Sequence, residues 1–485
     1  MILFAESKAQ SNPIEKPILN SLSKSIKTCD PSEPHKEKKN IENIDSFKQI
    51  GISEWLCKVV KSIGYKAPFD IQSECIPAII NGNDVIGISQ TGSGKTAAFA
   101  LPILQILSND IYGIFCLVIT PTRELAIQIA DQFQVFGSAI SLKLCVLIGG
   151  MNMIEQKSQL AKKPHIVIGT PGRIYHLLES ADPPDLKKIR FLVLDEADRL
   201  LATGFENELR TILFNTSNKR QTLLFSASMT TSIEKISELT SKDTLKFDLI
   251  SKSRSNVPST LSQEYLFMPS KMKLSFLFAY LQSISTDEEN EKTTMKKKSK
   301  MKFHSQSQDC VNIKSPVIIF VNTCKRCEEI KEFLLNLNFN CVSLHSNMNQ
   351  DFRSNSLSQF KNFNSKILVA TDIASRGLDI PNVGYVLNFD VPKVHTDYLH
   401  RVGRTARAGE VGKSVTFINP NEVDILKDIE SYTNTKMNLV EGIKLDEISK
   451  NLNKVSKALR LAQIKLLEEG FDDTKSNNFK RKRQN

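Results

Sequence analysis

The sequence predicts two doubly wound α/β domains in tandem, and three observations carry that expectation. The 485-residue chain is too long for one core of ordinary size. Short β-rich runs alternate with helix-like stretches in two successive series, as parallel sheets built from βαβ units require. In the first series, a glycine-rich loop and an acidic tetrad each stand directly behind an apolar run.

Taken in chain order, residues 1–44 are polar and lysine-rich with little periodicity, and they read as a disordered extension. A first domain spans 45–248. Its strands are expected at Val85 to Ile88, Cys116 to Thr120, Lys143 to Ile148, Ile166 to Gly169, Phe191 to Leu194 and Thr222 to Ser226. Residues 249–262 read as a linker to a second domain over 263–434, with strands at Gln263 to Met268, Val317 to Val321, Cys341 to Leu344, Lys366 to Ala370, Tyr385 to Phe389 and Ser414 to Ile418. Between the helix-like Leu274 to Ser283 and the strand at Val317 lies a polar insert, 286–314, with Lys296-Lys297-Lys298; such a run is more often a solvated loop than an RNA contact. Residues 435–485 hold a helical extension and a tail ending in Lys480-Arg481-Lys482-Arg483, which suits a nuclear import signal and a nonspecific basic arm equally.

Asp195-Glu196-Ala197-Asp198, behind Phe191-Leu192-Val193-Leu194, is the most informative stretch. A buried strand ending in adjacent carboxylates can hold a hydrated Mg²⁺ through Asp195 and orient an attacking water through Glu196. Alone, the tetrad is equally a strand-end turn or a helix cap. Upstream, Ser89-Gln90-Thr91-Gly92-Ser93-Gly94-Lys95-Thr96 lies between a strand and an apolar helix. Its glycines let backbone N–H groups close on phosphate, Lys95 reaches the outer phosphates and the Thr96 hydroxyl joins the metal shell. Ser89 stands where the usual phosphate-loop pattern has glycine. Together these segments point to ATP and Mg²⁺.

With these segments the chain, over roughly Phe47 to Asn434, resembles the DEAD-box ATP-dependent RNA helicases, whose fold is a tandem of RecA-like domains. The resemblance implies adenine recognition by Gln72, within Gly64 to Gln72, with Phe47 as the isolated aromatic of the nucleotide site; Phe69 replaces the family's threonine. It implies RNA contacts by Pro121, Thr122 and Arg123, by Gly149 and Gly150, by Thr170 and Arg173, and, in the second domain, by Thr323, Gln350, Arg353, Thr371 and Asp372. Asp379 closes the segment that touches both RNA and nucleotide. Asp198, Ser226, Ser228 and His400 are implied in coupling hydrolysis to strand separation, with Ser228 in place of threonine. Arg404 and Arg407, three apart in His400 to Arg407, are the expected arginine fingers. The runs Val321 to Cys327 and Leu194 to Leu201, with Ile464 to Asp472, look most like nucleolar members acting in small-subunit ribosome assembly. That likeness implies pre-rRNA as substrate, a protein activator, a monomer, and a nuclear, nucleolar location.

A formal charge of +11 fits a polyanionic partner. Nine cysteines without a regular framework, and a start (Met1 to Ala5) too short for a signal core, lead to the expectation of a reducing, intracellular setting without membrane segments. Cys324-Lys325-Arg326-Cys327 has the spacing of a redox or zinc pair, but no second pair lies at finger spacing. Three activities stay open: an ATPase that separates short RNA duplexes, an ATP-gated RNA clamp with little unwinding, and a DNA translocase.

Overall fold

Apolar residues at both parities of a strand bury both of its faces, and this chain's strands divide their residues in that way between two cores. In the computed structural model, Val118, Phe191, Val193, Leu223 and Phe225 enter one core of the first sheet. Their chain neighbours Leu117, Ile119, Leu192, Leu194 and Leu224 enter the core on its other face. The second sheet repeats the division, with Val317, Ile319 and Val321 on one side and Ile318 and Phe320 on the other.

The structure describes residues 45–471 apart from 91, 203, 228–243, 250–256, 258–259, 291–312, 314, 373–382, 407–409 and 443–444. Thr91, Ser228, Asp379 and Arg407, the N-terminal extension, most of the polar insert and the basic tail therefore lie outside the described residues.

The first sheet holds β1 (Val85–Ile88), β2 (Cys116–Ile119), β3 (Leu144–Leu147), β4 (Ile166–Gly169), β5 (Phe191–Asp195), β6 (Gln221–Ser226) and β7 (Leu245–Asp248), in the spatial order β3-β4-β2-β5-β6-β1-β7. The second holds β8 (Leu261–Phe267), β9 (Val317–Val321), β10 (Cys341–Leu344), β11 (Ile367–Thr371), β12 (Tyr385–Asn388), β13 (Gly412–Ile418) and β14 (Asn438–Leu439), in the order β10-β11-β9-β12-β13-β8-β14. Every pairing in both sheets is parallel. The twelve expected strands are all present, within one or two residues. Two edge strands were missed: β7 carries only partly buried or exposed residues, and β14 is two exposed residues long.

Two helices differ from expectation. The one read as Leu274 to Ser283 runs from Lys273 to Asn290, so the polar insert begins as helix. The C-terminal helix, Leu445–Glu468, is no appendage, because Ile448, Val455, Ala458 and Ala462 are buried in the second lobe's core. Lys465 pairs with Glu332 at 2.6 Å and Gln463 bonds Glu329 at 2.9 Å, fixing it on the helix Cys324–Leu335.

Candidate nucleotide and RNA site

Parallel strands bring their carboxyl ends to one edge, and that edge is where doubly wound sheets bind ligands. Register aligns Asp195 of β5 with Phe225 of β6, and Ser226 of β6 with Ile88 of β1. The acidic strand end, Ser226 and the loop after β1 therefore lie side by side, with Ser89 N donating to Ser226 O at 3.1 Å.

In the glycine-rich loop, Gly92 (φ 82°) and Gly94 (φ 84°) take the left-handed conformation that lets successive N–H groups turn inward. Gly94 precedes the helix Lys95–Asn109, whose N-terminus carries partial positive charge. Lys95 Nζ donates to Ser89 O at 2.6 Å and to Gln90 O at 2.8 Å. Burial pushes the Lys95 ammonium down, against the pull of Asp195, Glu196 and Asp198. Ser89, the departure from the usual glycine, shares a hydrogen bond with Ser93 Oγ at 2.6 Å.

Gln72 is fully buried and ties its own segment to this loop: Nε2 donates to Gly94 O at 3.1 Å, and Oε1 accepts from Phe69 N at 3.1 Å. The backbone of Phe69 thus serves where its side chain cannot. A primary amide with one bond at each end keeps a donor and an acceptor in reserve, the complement of adenine's N6/N7 edge. Phe47 sits in the core, 3% exposed and edge-on to Tyr65, so it backs the segment from inside.

Asp195 is 4% exposed, and burial together with the adjacent Glu196 charge pushes its carboxyl up to about 7, with Lys95 opposing. With the Thr96 hydroxyl, the Asp195 carboxylate offers the hard oxygen donors that Mg²⁺ takes; the residues fit that ion. Glu196 has a left-handed backbone (φ 50°), uncommon for a non-glycine residue, and its carboxylate accepts from Arg199 Nη1 at 3.3 Å. Arg199 was not anticipated; its only signal was a basic residue one turn after the acidic pair. Asp198 lies close enough to the second lobe that its charge, after burial, helps to raise the pKa of Tyr432.

The proposed RNA residues occupy the same edges. Thr122 and Thr323 cap the helices Arg123–Phe136 and Cys324–Leu335, accepting from Leu125 N and Arg326 N. Thr170 precedes the helix Pro171–Leu178, and Arg173 Nη2 donates to Met151 O at 3.1 Å. Arg123 lies against Gly149 and Gly150, where a Cβ on Gly150 would meet its guanidinium. Burial and the charges of Arg353 and Arg173, against Glu124, push Arg123 down, so three guanidiniums gather at this rim.

Gln350 and Arg353, expected to face RNA, are 7% and 6% exposed and engage the first lobe. Arg353 Nε and Nη2 reach Glu124 Oε1 at 2.8 and 2.7 Å, and Arg123 Nη1 donates to Gln350 Oε1 at 3.3 Å. Glu124 was overlooked because a glutamate in a helix's first turn already has a local explanation. Asp372 is likewise committed, in a two-pronged pair with the buried Arg401 at 2.6 and 2.7 Å. Arg401 also donates to Asn322 Oδ1 and Asp390 O, which joins the ends of β9, β11 and β12. His400 and Arg404 are buried beside it, and Arg404 Nε donates to His400 O at 3.2 Å.

Comparison with known proteins agrees with this geometry. The DEAD/DEAH box helicase model matches residues 69–236 and the helicase conserved C-terminal domain model matches 295–409. The mouse probable ATP-dependent RNA helicase DDX49 is 43% identical over 89% of this chain and 85% of its own length. The chain belongs to the DEAD-box ATP-dependent RNA helicases. DEAD-box ATP-dependent RNA helicase 36 of Arabidopsis thaliana is 41% identical over 99% of this chain and 93% of its own. ATP-dependent RNA helicase DBP8 of Meyerozyma guilliermondii is 40% identical over 90% and 98%. Among solved structures, Mss116p bound to ssRNA and AMP-PNP superposes with a TM-score of 0.72 at 28% identity, covering 87% of this chain and 84% of that one. The protein is thus an RNA-stimulated ATPase that binds ATP and RNA. No described helix is long and apolar enough to cross a membrane, and no described group of three or more acidic, histidine or cysteine side chains forms a metal cluster.

Proposed function

We propose that this helicase couples ATP-driven closure of its lobes to local separation of RNA strands during small-subunit ribosome assembly, acting on pre-rRNA in the nucleolus. The observation that supports the coupling best is the side-by-side placement of Lys95, Asp195, Glu196 and Ser226 on one sheet edge, with the other lobe engaged through Glu124 and Arg353. In this reading the helicase domains are 45–248 and 263–434. Gln72 reads adenine, the loop from Thr91 to Thr96 holds the phosphates, and Glu196 orients or deprotonates water. Thr96 and Asp195 would hold Mg²⁺, whose charge would offset that of the phosphates. Arg404 and Arg407 stabilise charge on the transferred phosphoryl, with Asp379 completing the nucleotide site. Asp198, Ser226, Ser228 and His400 carry the coupling. RNA is held through phosphate and sugar by the rim of Pro121 to Arg123, Gly149, Gly150, Thr170, Arg173, Thr323 and Thr371.

The pathway rests on the sequence runs Val321 to Cys327, Leu194 to Leu201 and Ile464 to Asp472. A monomer with a protein activator is part of the same reading. A second reading, an ATP-gated clamp, draws support from the buried Glu124–Arg353 pair, which favours a long-lived closed state. Release of a short RNA duplex upon ATP addition, with RNA stimulating hydrolysis more than single-stranded DNA, is expected. Hydrolysis without release selects the clamp, equal stimulation by DNA removes the RNA preference, and crosslinked RNA lacking pre-rRNA removes the pathway.

A further inference from the structure

The helix Leu445–Glu468 uses one side for the core of the second lobe and leaves the other uncovered. At about 3.6 residues per turn, Ile464 falls roughly half a turn from the buried Val455 and Ala462, where a helix of this kind is ordinarily polar. Here that side carries Leu461, Ile464 and Leu467, which are 46%, 52% and 80% exposed. Their spacing of three makes one continuous aliphatic ridge about 9 Å long.

The same side is basic. Lys450, Lys454, Lys457 and Arg460 are all exposed and follow one another at the three- and four-residue spacing of a single helix face. Lys454 lies over the Phe278 ring, 5.3 Å from its centroid. Among the described residues, Lys450, Lys457 and Arg460 have no carboxylate partner, although Asp446 and Glu468 bracket the stretch at its two ends. The packing sets the direction: Asn336 Nδ2 donates to Ala458 O at 3.3 Å and Gln463 bonds Glu329 at 2.9 Å, so the helix runs antiparallel to Cys324–Leu335. The aliphatic ridge therefore lies toward the edge that holds Thr323, and the basic stretch lies toward the other.

Charge decides what can cover this face. A second copy of the chain brings more cations and no acidic stretch to meet them. The insert 291–312, with Lys296-Lys297-Lys298, and the tail, with Lys480-Arg481-Lys482-Arg483, are themselves basic. Phosphate and sugar would satisfy the cations but offer nothing to Leu461, Ile464 and Leu467. An occupant that answers both features is acidic and apolar at once.

We propose that this face is the docking site for an acidic amphipathic helix of a partner protein. A ridge of residues three apart packs into the groove between four-apart rows of a facing helix at a crossing angle of about 20°. A partner helix so placed covers Leu461, Ile464 and Leu467 and continues along Arg460, Lys457 and Lys450, to which its carboxylates pair. The inference uses neither the RNA reading nor the pathway reading.

The test uses the full chain and a fluorescein-labelled designed peptide of about six helical turns, with leucine at heptad positions a and d and glutamate at most others, held at nanomolar concentration and read by anisotropy. Micromolar affinity is expected, weakening at least tenfold when lysine replaces the glutamates. It should also weaken at least tenfold in the triple variant Leu461→Ser, Ile464→Ser, Leu467→Ser, and at least threefold in Lys450→Glu, Lys457→Glu, Arg460→Glu. Thermal melts and RNA-stimulated ATP hydrolysis without peptide should stay at wild-type values in both. No saturable binding in the micromolar range, or binding indifferent to the serine variant, overturns the site. Three other results overturn the occupant: single-stranded RNA that competes the peptide away, a dimer in sedimentation equilibrium that the serine variant dissociates, or co-sedimentation with phosphatidylserine vesicles that the serine variant abolishes.

Discussion

Removing Glu124 isolates what the inter-lobe pair contributes. Both Arg353 nitrogens converge on the same Glu124 oxygen at 2.8 and 2.7 Å, and both side chains are buried. Charge-assisted hydrogen bonds are worth about 1.5–3 kcal/mol each, and a buried charge left without its partner loses about 3–5 kcal/mol. The lobes can part and rehydrate the survivor, so the measurable coupling is smaller, about 2 kcal/mol, or ~30-fold in affinity. The assay is a double-mutant cycle of Glu124→Ala and Arg353→Ala, read by fluorescence anisotropy of a labelled single-stranded RNA with and without a non-hydrolysable ATP analogue. Arg353→Ala alone also loses its bond to His345 O, which is why the cycle is required. Each single change should weaken RNA binding only with the analogue present, and the second should add little to the first. Effects that add within ~0.5 kcal/mol, or that are equal without nucleotide, would refute an energetic link between the lobes through this pair.

Further outcomes follow from other sites. Glu196→Gln should abolish ATP turnover while ATP and RNA binding persist; ordinary steady-state hydrolysis would remove Glu196 from its role. Gly94→Ala should lower ATP affinity at least tenfold by equilibrium titration, because a Cβ there meets the Gln72 amide and Phe69 and the φ of 84° adds ~1–2 kcal/mol of strain. Glu328 is depressed to about 2, since His345, Lys331 and Ser343 outweigh the effect of burial. A depressed carboxyl stabilises the fold above its unfolded value of 4.5 and loses that contribution as pH falls toward 2. Glu328→Gln should therefore cost on the order of 3 kcal/mol at pH 7, with thermal melts of variant and wild type converging below pH 4; a gap that is constant with pH contradicts the assignment.

Much of the fold was legible because central parallel strands are apolar along their length, as in Val317–Val321 and in the Phe191 to Leu194 run that leads to Asp195. The edge strand Leu245–Asp248 was not: its residues are exposed or only partly buried, so its sequence carries no run to read. The nucleotide loop and acidic tetrad were legible because backbone geometry demands their glycines and their spacing. Glu124, Arg199 and Arg401 were not, because each owes its importance to a partner distant in space or to burial. A sequence shows that Arg401 is basic; only the fold shows it fully enclosed between Asp372, Asn322 and the Phe320 ring. The bonds of Gln350 and Arg353 to the other lobe were hidden for the same reason, since a polar helix start looks alike facing RNA or another lobe.

The seating of the helix Leu445–Glu468 bears on how this protein can be recombined. Its buried residues complete the same core that holds β9 and β11, and Phe471 beyond it covers His345. The second lobe is therefore not interchangeable at Asn434: a chimera joined there would leave an apolar trench along Cys324–Leu335 and uncover the imidazole. A joint that preserves a foldable, transferable unit has to fall after Phe471.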